Sequence, residues 1–521
     1  MQSSAVSSRM ASADQLAKDQ RQSRSTGKNT VVYVVLGIFA ALLALITSRH
    51  EMYLDEVQPW LFVRNAHSLL PVIQHLRYES HPALWFVLLY LASRISSSVV
   101  MMQCVNFVLA ISMAWSVLSA RSLSMAVRVL IVFGVSVFFV SGVLARDYML
   151  AGFLLILASR CLLARPKRHW LGMVLISLAI NAHFLAIPVA FSILIWLYLL
   201  APESDLASVR SKFRERRFWA SVSLITVALI ACFFTVRPAK DMSMRLGFSG
   251  GNLFEYLVLA VGRVWHYFLP ISLDTSSSIR NGALALPAYS DALITLVLFS
   301  VAIAILPGKT SRYFMIMASV LWTAAAVATV RVPLETHSTF IIFSYIIALL
   351  ASKEDGPSRP LLPQYIAEPM LLVLLAIQVS ICAEFCIKEW TSPFSAGKAV
   401  AQWLKVSGLV GHPLVVQSEL PAPAVLAYTG IPTAYFPACR CNRPYVLYNT
   451  GWDDERTVSR EELDSLLIST GESPIVLSQW QIAPEEQHRL GLHLAYVSPK
   501  GWGFSNEDVS VYVVSNVHGG Y

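Results

Sequence analysis

Residues 31–56 read VVYVVLGIFAALLALITSRHEMYLDE, in which an uncharged run at 31–47 is followed within a few residues by the acidic pair Asp55 and Glu56. A helix needs roughly 17–25 mostly apolar residues to cross a bilayer. No cleavage site of small residues follows this run, which indicates a membrane anchor rather than a removed signal peptide. The acidic pair is therefore expected just outside the membrane, on the face away from the N-terminus.

The composition of the whole chain agrees with this interpretation. Of its 521 residues, 55% are hydrophobic and 14% are charged, whereas a soluble domain carries about 25% charged residues. The fold class that this predicts is a mainly α, polytopic membrane protein. The net charge is +8, but the basic residues cluster between apolar segments, as the positive-inside rule describes. We therefore expect membrane lipids, and no nucleic acid, as partners of that charge.

Twelve apolar segments could cross the membrane, and they cover residues 31–47, 82–97, 99–119, 124–143, 147–163, 169–182, 183–200, 219–236, 290–306, 313–330, 338–352 and 366–386. Basic clusters between the later segments should share the cytosolic face, and they contain Arg165, Lys167, Arg168, Arg210, Lys212, Arg214, Arg216, Arg217, Lys309, Arg312, Lys353 and Arg359. Twelve crossings would return the C-terminus to the cytosol, against these clusters. We therefore expect 11 or 13 transmembrane helices, with one partial or re-entrant segment between residues 82 and 163.

The sequence divides into three regions. Residues 1–29 are rich in Ser, Gln and basic residues, which is typical of a disordered cytosolic tail. Residues 30–390 form the membrane module, with an outer loop at 49–81 and an outer connection at 237–290 that contains an interfacial helix at 253–270. Residues 391–521 predict a soluble α/β domain outside the membrane, with β-rich runs at 414–416, 445–448, 475–477 and 511–514 and helical patterns at 395–405 and 460–468.

The seven cysteines give little chemistry. Cys104, Cys161 and Cys232 lie within apolar segments and are expected to be packing residues. Cys439 and Cys441 lie in the C-terminal region at a spacing that is awkward for a mutual disulfide, and no second Cys or His cluster indicates zinc. The sequence assigns these two residues no role.

Polar residues recur where the apolar segments reach the outer face: Asp55, Glu56, His81, Arg146, Asp147, Tyr148, Asn181, His183, Arg331 and His337. A charge at mid-membrane depth costs about 2.5–3.5 kcal/mol, so such groups normally face a cavity or one another. A ring of acid, histidine and arginine suits a reaction with an anionic lipid-linked substrate. A carboxylate can take the proton of an attacking hydroxyl, and arginine can stabilise the phosphate that leaves.

Structural interpretations of the same residues stay open. The acidic pair could be a solvated loop charge, and Arg146 could form a plain ion pair with its neighbour Asp147. His183 could bridge two helices, and Arg331 could mark the membrane interface, where long basic side chains often lie.

Residues 53–56 and 77–85, which read YLDE and RYESHPALW, resemble the first outer loop of the C-type glycosyltransferases. These polytopic enzymes use polyprenyl-phosphate sugars, and they include the protein O-mannosyltransferases and the lipid A aminoarabinose transferases. Residues 145–150 (ARDYML) and 181–184 (NAHF) are similar to two further short elements of that group.

The resemblance implies an inverting glycosyltransferase in a bacterial inner membrane, with its active site and C-terminal domain on the periplasmic side. Asp55 would be the catalytic base or, as in metal-dependent members, would help to hold a divalent cation such as Mg or Mn. Glu56 would position Asp55 or contribute to the metal site. The acceptor would be a lipid, a glycan or a protein. The residues that would meet the donor phosphate or the substrate are His81, Arg146, Tyr148, His183, Arg331 and His337.

Two other classes of function stay open. A transporter or flippase of a lipid-linked sugar could use the same polar residues as a path, although the sequence shows no pair of related halves. A non-catalytic scaffold of the same fold could serve in polysaccharide assembly.

Overall fold

The structure, a computed structural model, is mainly helical and has a small mixed β-sheet near its C-terminus. It describes residues 29–164, 166–199, 211–242, 253–268, 288–330, 335–352, 361–418, 421–447, 449, 456–503 and 508–514. The predicted cytosolic tail lies outside these residues except for its last position, Asn29. Much of the predicted outer connection at 237–290 lies outside them as well.

The α-helices that precede the sheet are α1 (Asn29–Arg49), α2 (Leu54–Asn65), α3 (Leu69–Glu79), α4 (Ala83–Ile95), α5 (Val100–Leu118), α6 (Met125–Val132), α7 (Asp147–Leu163), α8 (His169–Ala182), α9 (Ala186–Leu199), α10 (Arg216–Val236), α11 (Leu253–Phe268), α12 (Ala288–Ile305), α13 (Lys309–Val330), α14 (Thr339–Ala351), α15 (Gln364–Thr391) and α16 (Gly397–Val406). The loop predicted at residues 49–81 is thus largely helical, since it contains both α2 and α3. The long apolar stretch around His183 is divided at that residue into α8 and α9.

Five helical stretches within the described residues are long and apolar enough to cross a membrane, namely Asn29–Arg49, Val100–Leu118, Met125–Val143, Arg216–Val236 and Gln364–Thr391. Their outward faces carry large apolar side chains, as Val227, Phe233 and Phe234 do on α10. Surfaces of that kind are stable against lipid and unfavourable against water. These features suggest a membrane protein.

The ends of the helices meet in two layers. One layer, here named the site end, joins the last residues of α1 and α15 through a hydrogen bond between His50 and Glu389. It also holds the first residues of α4 and α7, which are joined by His81 and Asp147. The other layer, the opposite end, joins the last turns of α5 and α7, where Arg160 Nη1 donates to the carbonyl oxygen of Ser116 at 2.6 Å.

Helix α4 is short, and both of its ends lie in the layer of the site end. Arg94 in its last turn donates to the carbonyl oxygen of Val63 in α2 at 3.2 Å. The next helix, α5, begins beside the last turn of α1, because Gln103 Nε2 donates to the carbonyl oxygen of Thr47 at 3.3 Å. The chain therefore enters and leaves α4 at the same end of the bundle.

A π-helix at Ser136–Val143 continues α6 towards the site end. Its wider turns leave carbonyl groups without their usual helical partners. The buried side chain of Asn106 compensates by donating to the carbonyl oxygens of Ser141, Gly142 and Leu144 at 2.8–3.2 Å. Such π-turns are often found at functional sites, and this one delivers the chain to Arg146.

The C-terminal sheet contains β1 (Leu414–Val416), β2 (Ala434–Phe436), β3 (Cys441–Arg443), β4 (Ile475–Ser478), β5 (Leu492–Val497) and β6 (Ser510–Val514), in the order β3-β2-β1-β4-β6-β5. Strand β1 pairs in parallel with β2 and β4, and the remaining pairs are antiparallel. Helices α17 (Ala422–Thr429), α18 (Arg460–Thr470) and α19 (Pro484–Leu490) connect the strands. The predicted α/β character of this region is confirmed.

The bundle and the sheet share one apolar core. Because side chains alternate along a strand, Leu414 and Val416 of β1 join the large core cluster that also contains the membrane-type helices. Val415, between them, packs on the other face in a small cluster with Leu463 of α18. The last region of the chain is therefore built onto the bundle rather than linked to it loosely.

Two features of the C-terminal region differ from what its sequence predicts. The β-rich run predicted at 445–448 forms no strand over its described residues 445–447, because the backbone N–H and carbonyl of Val446 pair with the side-chain amide of Gln58 instead. The spacing of Cys439 and Cys441, which is awkward for a mutual disulfide, does not prevent one, since the two residues form a disulfide. Arg440 between them has φ +52°, which bends the chain so that the two Cα atoms lie 5.2 Å apart.

The close packing of α7 against α14 can be tested at Gly152. A Cβ at this position would overlap the buried ring of Phe343. We expect Gly152→Ala to destabilise the protein by about 1–3 kcal/mol, as overpacking of a core does, measured as a lower unfolding temperature in detergent.

The matched control is Gly37→Ala in α1, where an added Cβ meets no atom within 4 Å. This variant should unfold at or slightly above the temperature of the wild type, since alanine favours a helix over glycine. Equal unfolding temperatures for the two variants would contradict the packing of α7 on α14.

Candidate functional site

Asp55 lies in the first turn of α2, at the site end, and its side chain is 40% exposed. Its carboxylate pairs with the guanidinium of Arg146 at 3.1 Å. Arg146 thus pairs with Asp55, from a distant part of the chain, whereas the alternative considered from the sequence was an ion pair with its neighbour Asp147. An acid that is paired and still accessible can meet a ligand.

Arg146 sits between the π-helix and α7, and its side chain is only 9% exposed. Its Nη1 donates to the hydroxyl oxygen of Tyr53 at 2.9 Å, and its guanidinium lies 4.8 Å from the centroid of the Tyr148 ring. These contacts fix the guanidinium on the wall of the site. A fixed cation of this kind can stabilise a developing negative charge without having to reorganise.

The carboxylate of Asp147 lies close to the rings of two histidines, His81 and His183. Its Oδ2 lies 3.0 Å from Nδ1 of His81 and 4.0 Å from Nε2 of His183. Burial acts to lower the pKa of His81, but the charge and the hydrogen bond of Asp147 outweigh it, and the pKa is raised. His81 is thus poised to carry a positive charge beside Arg146 while part of its ring remains exposed.

His183 is fully buried. Its Nδ1 accepts a hydrogen bond from the backbone N–H of Leu185 at 3.0 Å, so a neutral ring carries its proton on Nε2. That Nε2 has no hydrogen-bond partner among the described residues. His337 and Tyr148 complete the wall, with ring centroids 6.4 Å and 5.0 Å from that of His183.

Glu56, the neighbour of Asp55, faces the opposite way into the protein. Its carboxylate accepts from the backbone N–H of Ala145 at 2.6 Å and of Tyr53 at 3.3 Å, and it pairs with Nε2 of His50 at 2.9 Å. The other ring nitrogen of His50 lies 3.2 Å from Glu389 at the end of α15. This group, the Glu56–His50–Glu389 cluster, is fully buried at its side chains.

Two more acids at the site end are perturbed by burial. Burial raises the pKa of Glu79 to about 7, although Gln58 donates a hydrogen bond to it at 3.1 Å. Burial likewise raises the pKa of Glu51 to about 7. Perturbed acids often gather at functional sites, and both residues flank the segment that carries Asp55.

A divalent cation held by Asp55 does not fit these residues. Mg²⁺ and Mn²⁺ prefer several oxygen ligands, whereas the carboxylate of Asp55 faces the cationic Arg146. Within the described residues, the group with metal-ligand spacing is His81, Asp147 and His183, with ligand atoms within 4.8 Å of one another. There the Nε2 of a neutral His183 carries a proton rather than the lone pair that a metal needs.

The structure brings together most of the residues that the sequence singled out. Asp55, His81, Arg146, Tyr148, His183 and His337 share one site, and Glu56 lies directly behind it. Arg331 lies outside the described residues. The sequence did not single out Tyr53, His50 or Glu389, and it did not predict that Asp147 pairs with the histidines.

A scan of protein-family models finds no match to this chain, and a search of curated proteins finds no significant match. The function must therefore be argued from the site itself.

The charge of the Glu56–His50–Glu389 cluster can be tested by pH. Burial acts to lower the pKa of His50, but Glu56 and Glu389 raise it from 6.5 to about 10. The stabilisation by charged His50 is complete below pH 6.5 and is lost as the pH rises towards 10. We expect the unfolding temperature of the wild type to fall over this range more steeply than that of the neutral triple variant His50→Gln, Glu56→Gln, Glu389→Gln.

The control is His67→Gln, because His67 is exposed and lies in the short connection between α2 and α3. It should keep the pH dependence of the wild type. If the triple variant follows the wild-type curve in parallel from pH 6.5 to 10, the cluster does not hold a charged histidine.

Proposed function

We propose that this protein is a membrane glycosyltransferase that moves a sugar from a polyprenyl-phosphate donor to a hydroxyl acceptor at the site end. The observation that carries the proposal is the accessible carboxylate of Asp55, 3.1 Å from the fixed guanidinium of Arg146. An acid for the acceptor and a cation for the phosphate thus lie side by side. The resemblance of residues 53–56 and 77–85 to C-type glycosyltransferases supports the same reaction.

The proposed step is a single displacement. The acceptor hydroxyl gives its proton to Asp55 while its oxygen forms a bond to the anomeric carbon of the sugar. The bond from that carbon to the phosphate oxygen breaks on the opposite face, which inverts the stereochemistry. The phosphate leaves with the electron pair and is stabilised by Arg146 and the charged ring of His81, with Nε2–H of His183 as a further donor. The step uses no divalent cation.

The proposed topology has eleven crossings. Helix α4 does not cross the membrane, because it begins and ends at the site end. We therefore assign it as the re-entrant segment expected between residues 82 and 163. Basic residues among the described ones, such as Lys167, Arg168 and Lys309, follow α7 and α12 at the opposite end. The positive-inside rule then makes the opposite end cytosolic and the site end extracytosolic, as in a bacterial inner membrane.

The C-terminal region supports this orientation, because the Cys439–Cys441 disulfide belongs to it and disulfides persist in oxidising compartments such as the periplasm. Tyr428 of α17 accepts a hydrogen bond from the backbone N–H of Met52, which directly precedes the YLDE stretch and lies two residues before the start of α2. We propose that this region covers the site and helps to select a lipid, glycan or protein acceptor, while the donor enters from the surrounding lipid.

The proposal is tested by Asp55→Asn in a transfer assay with radiolabelled polyprenyl-phosphate sugars of several kinds. Loss of a general base costs about 10²–10⁴-fold in rate, so we expect transfer to fall by that factor without loss of folded protein. The matched control is Asp464→Asn, since Asp464 is 44% exposed and pairs with Arg460 at 2.9 Å, far along the chain in α18. That variant should keep wild-type transfer.

Full transfer by folded Asp55→Asn would remove the assigned base. Movement of the intact lipid-linked sugar across the membrane, without covalent change, would replace transfer by transport. A wild-type protein that is inert towards every donor, together with an Asp55→Asn variant of normal phenotype, would indicate a scaffold.

A further inference from the structure

A cavity lies at the opposite end, far from Asp55, and is here named the basic groove. The proposal made for it does not depend on the proposed reaction. Its volume is about 630 Å³, and its walls are the first turn of α1, the last turns of α5 and the segment that leads into α6. Two arginines, Arg121 and Arg128, and two aromatic residues, Tyr33 and Trp115, line it. No acidic residue is among the described residues that line it.

Arg121 and Arg128 place two like charges on the walls of one groove, and neither forms an ion pair with a carboxylate of the described residues. Arg121 Nη2 donates to Oδ1 of Asn29 at 3.5 Å. Arg128 donates through Nη1 to the carbonyl oxygen of Leu118 and through Nε to the carbonyl oxygen of Ser124 at 3.5 Å. Each guanidinium has five N–H donors, so these bonds leave donors for a ligand. Two like charges held together without a counter-ion favour an anionic ligand.

The aromatic wall indicates where that ligand comes from. The rings of Tyr33 and Trp115 stack with centroids 5.4 Å apart, and the two side chains are 61% and 38% exposed. They project from α1 and α5, two of the helices that are long and apolar enough to cross a membrane. Tyr and Trp are favoured where acyl chains meet headgroups, so the groove opens towards lipid as well as towards its arginines.

We propose that the basic groove binds the headgroup of an anionic phospholipid from the surrounding membrane. Its phosphate takes hydrogen bonds from Arg121 and Arg128, and the upper part of its acyl chains lies along Tyr33 and Trp115. Basic pockets between membrane helices bind anionic headgroups in this way. Helix α6 begins at Met125 inside the groove, so the positive end of its dipole adds to the attraction. The bound lipid would fasten the start of α1 to the α5–α6 connection.

The test uses the full chain, purified in a neutral detergent and freed of native lipid, with lipid binding measured by native mass spectrometry. We expect phosphatidylglycerol to bind more tightly than phosphatidylcholine of the same chain length. Each arginine near a membrane surface contributes about fivefold in affinity for an anionic lipid. Arg121→Gln should therefore weaken phosphatidylglycerol binding about fivefold, and the double variant Arg121→Gln, Arg128→Gln about 25-fold.

The control is the double variant Lys167→Gln, Arg168→Gln, which removes two exposed charges at the same end outside the groove. Its affinity for phosphatidylglycerol should equal that of the wild type. Trp115→Leu should weaken phosphatidylglycerol binding but leave the preference over phosphatidylcholine. Unfolding temperatures identify any variant that fails to fold, and the comparison of the two lipids on the wild type needs no variant.

Three results would overturn the proposal. The wild type could bind the two lipids equally, or folded Arg121→Gln could bind phosphatidylglycerol as the wild type does. Inorganic phosphate could displace the lipid at an equal concentration, which would make the groove a site for a soluble anion.

Discussion

The buried carboxylate of Glu56 is the constraint on which the site end depends. A carboxylate inside a protein is costly unless it is paired and fully hydrogen-bonded. Glu56 meets this requirement only when three separate parts of the chain are in place: the His50–Tyr53 turn after α1, the Ala145 backbone after the π-helix and, through His50, Glu389 of α15. Arg146 directly follows Ala145, so the same contacts that satisfy Glu56 bring Arg146 to Asp55.

Adjacent residues on a helix point about 100° apart, so two neighbouring acids cannot share one environment. The different directions of the two side chains give Asp55 and Glu56 different roles. Asp55 stays accessible beside a single fixed cation, whereas Glu56 is closed off and holds the backbone around that cation.

The distribution of charged residues also differs between the two ends of the bundle. Acids and histidines concentrate where α1 ends, and basic residues with few acids concentrate where it begins. The two ends of the bundle therefore present different chemistry.

Local patterns predicted the elements well. Uncharged runs predicted α1, α5 and α10, a polar interruption predicted the break at His183, and short β-rich runs predicted β1, β4 and β6. Asp55, His81, Arg146 and His183 could be predicted as one site because each interrupts or borders an apolar run. The partners could not, because Glu389 lies more than 300 residues from His50 and nothing local indicates that they meet. Long-range contacts also explain the strand that did not form: Val446 pairs with Gln58, 388 residues away, although its local sequence favours a strand. The Cys439–Cys441 disulfide depends on the backbone bend at Arg440, which the spacing of the two cysteines does not reveal.

The shared core of bundle and sheet has a consequence for the order of biosynthesis. Residues around 389–446 are made last among the contacts of the site end, yet they supply the partner of His50, the hydroxyl that holds Met52 and the backbone that pairs with Gln58. Until the ribosome has released them, the nascent helices expose buried charges without their counter-ions. The contacts of the site end can therefore form only after the chain has been made as far as residue 446.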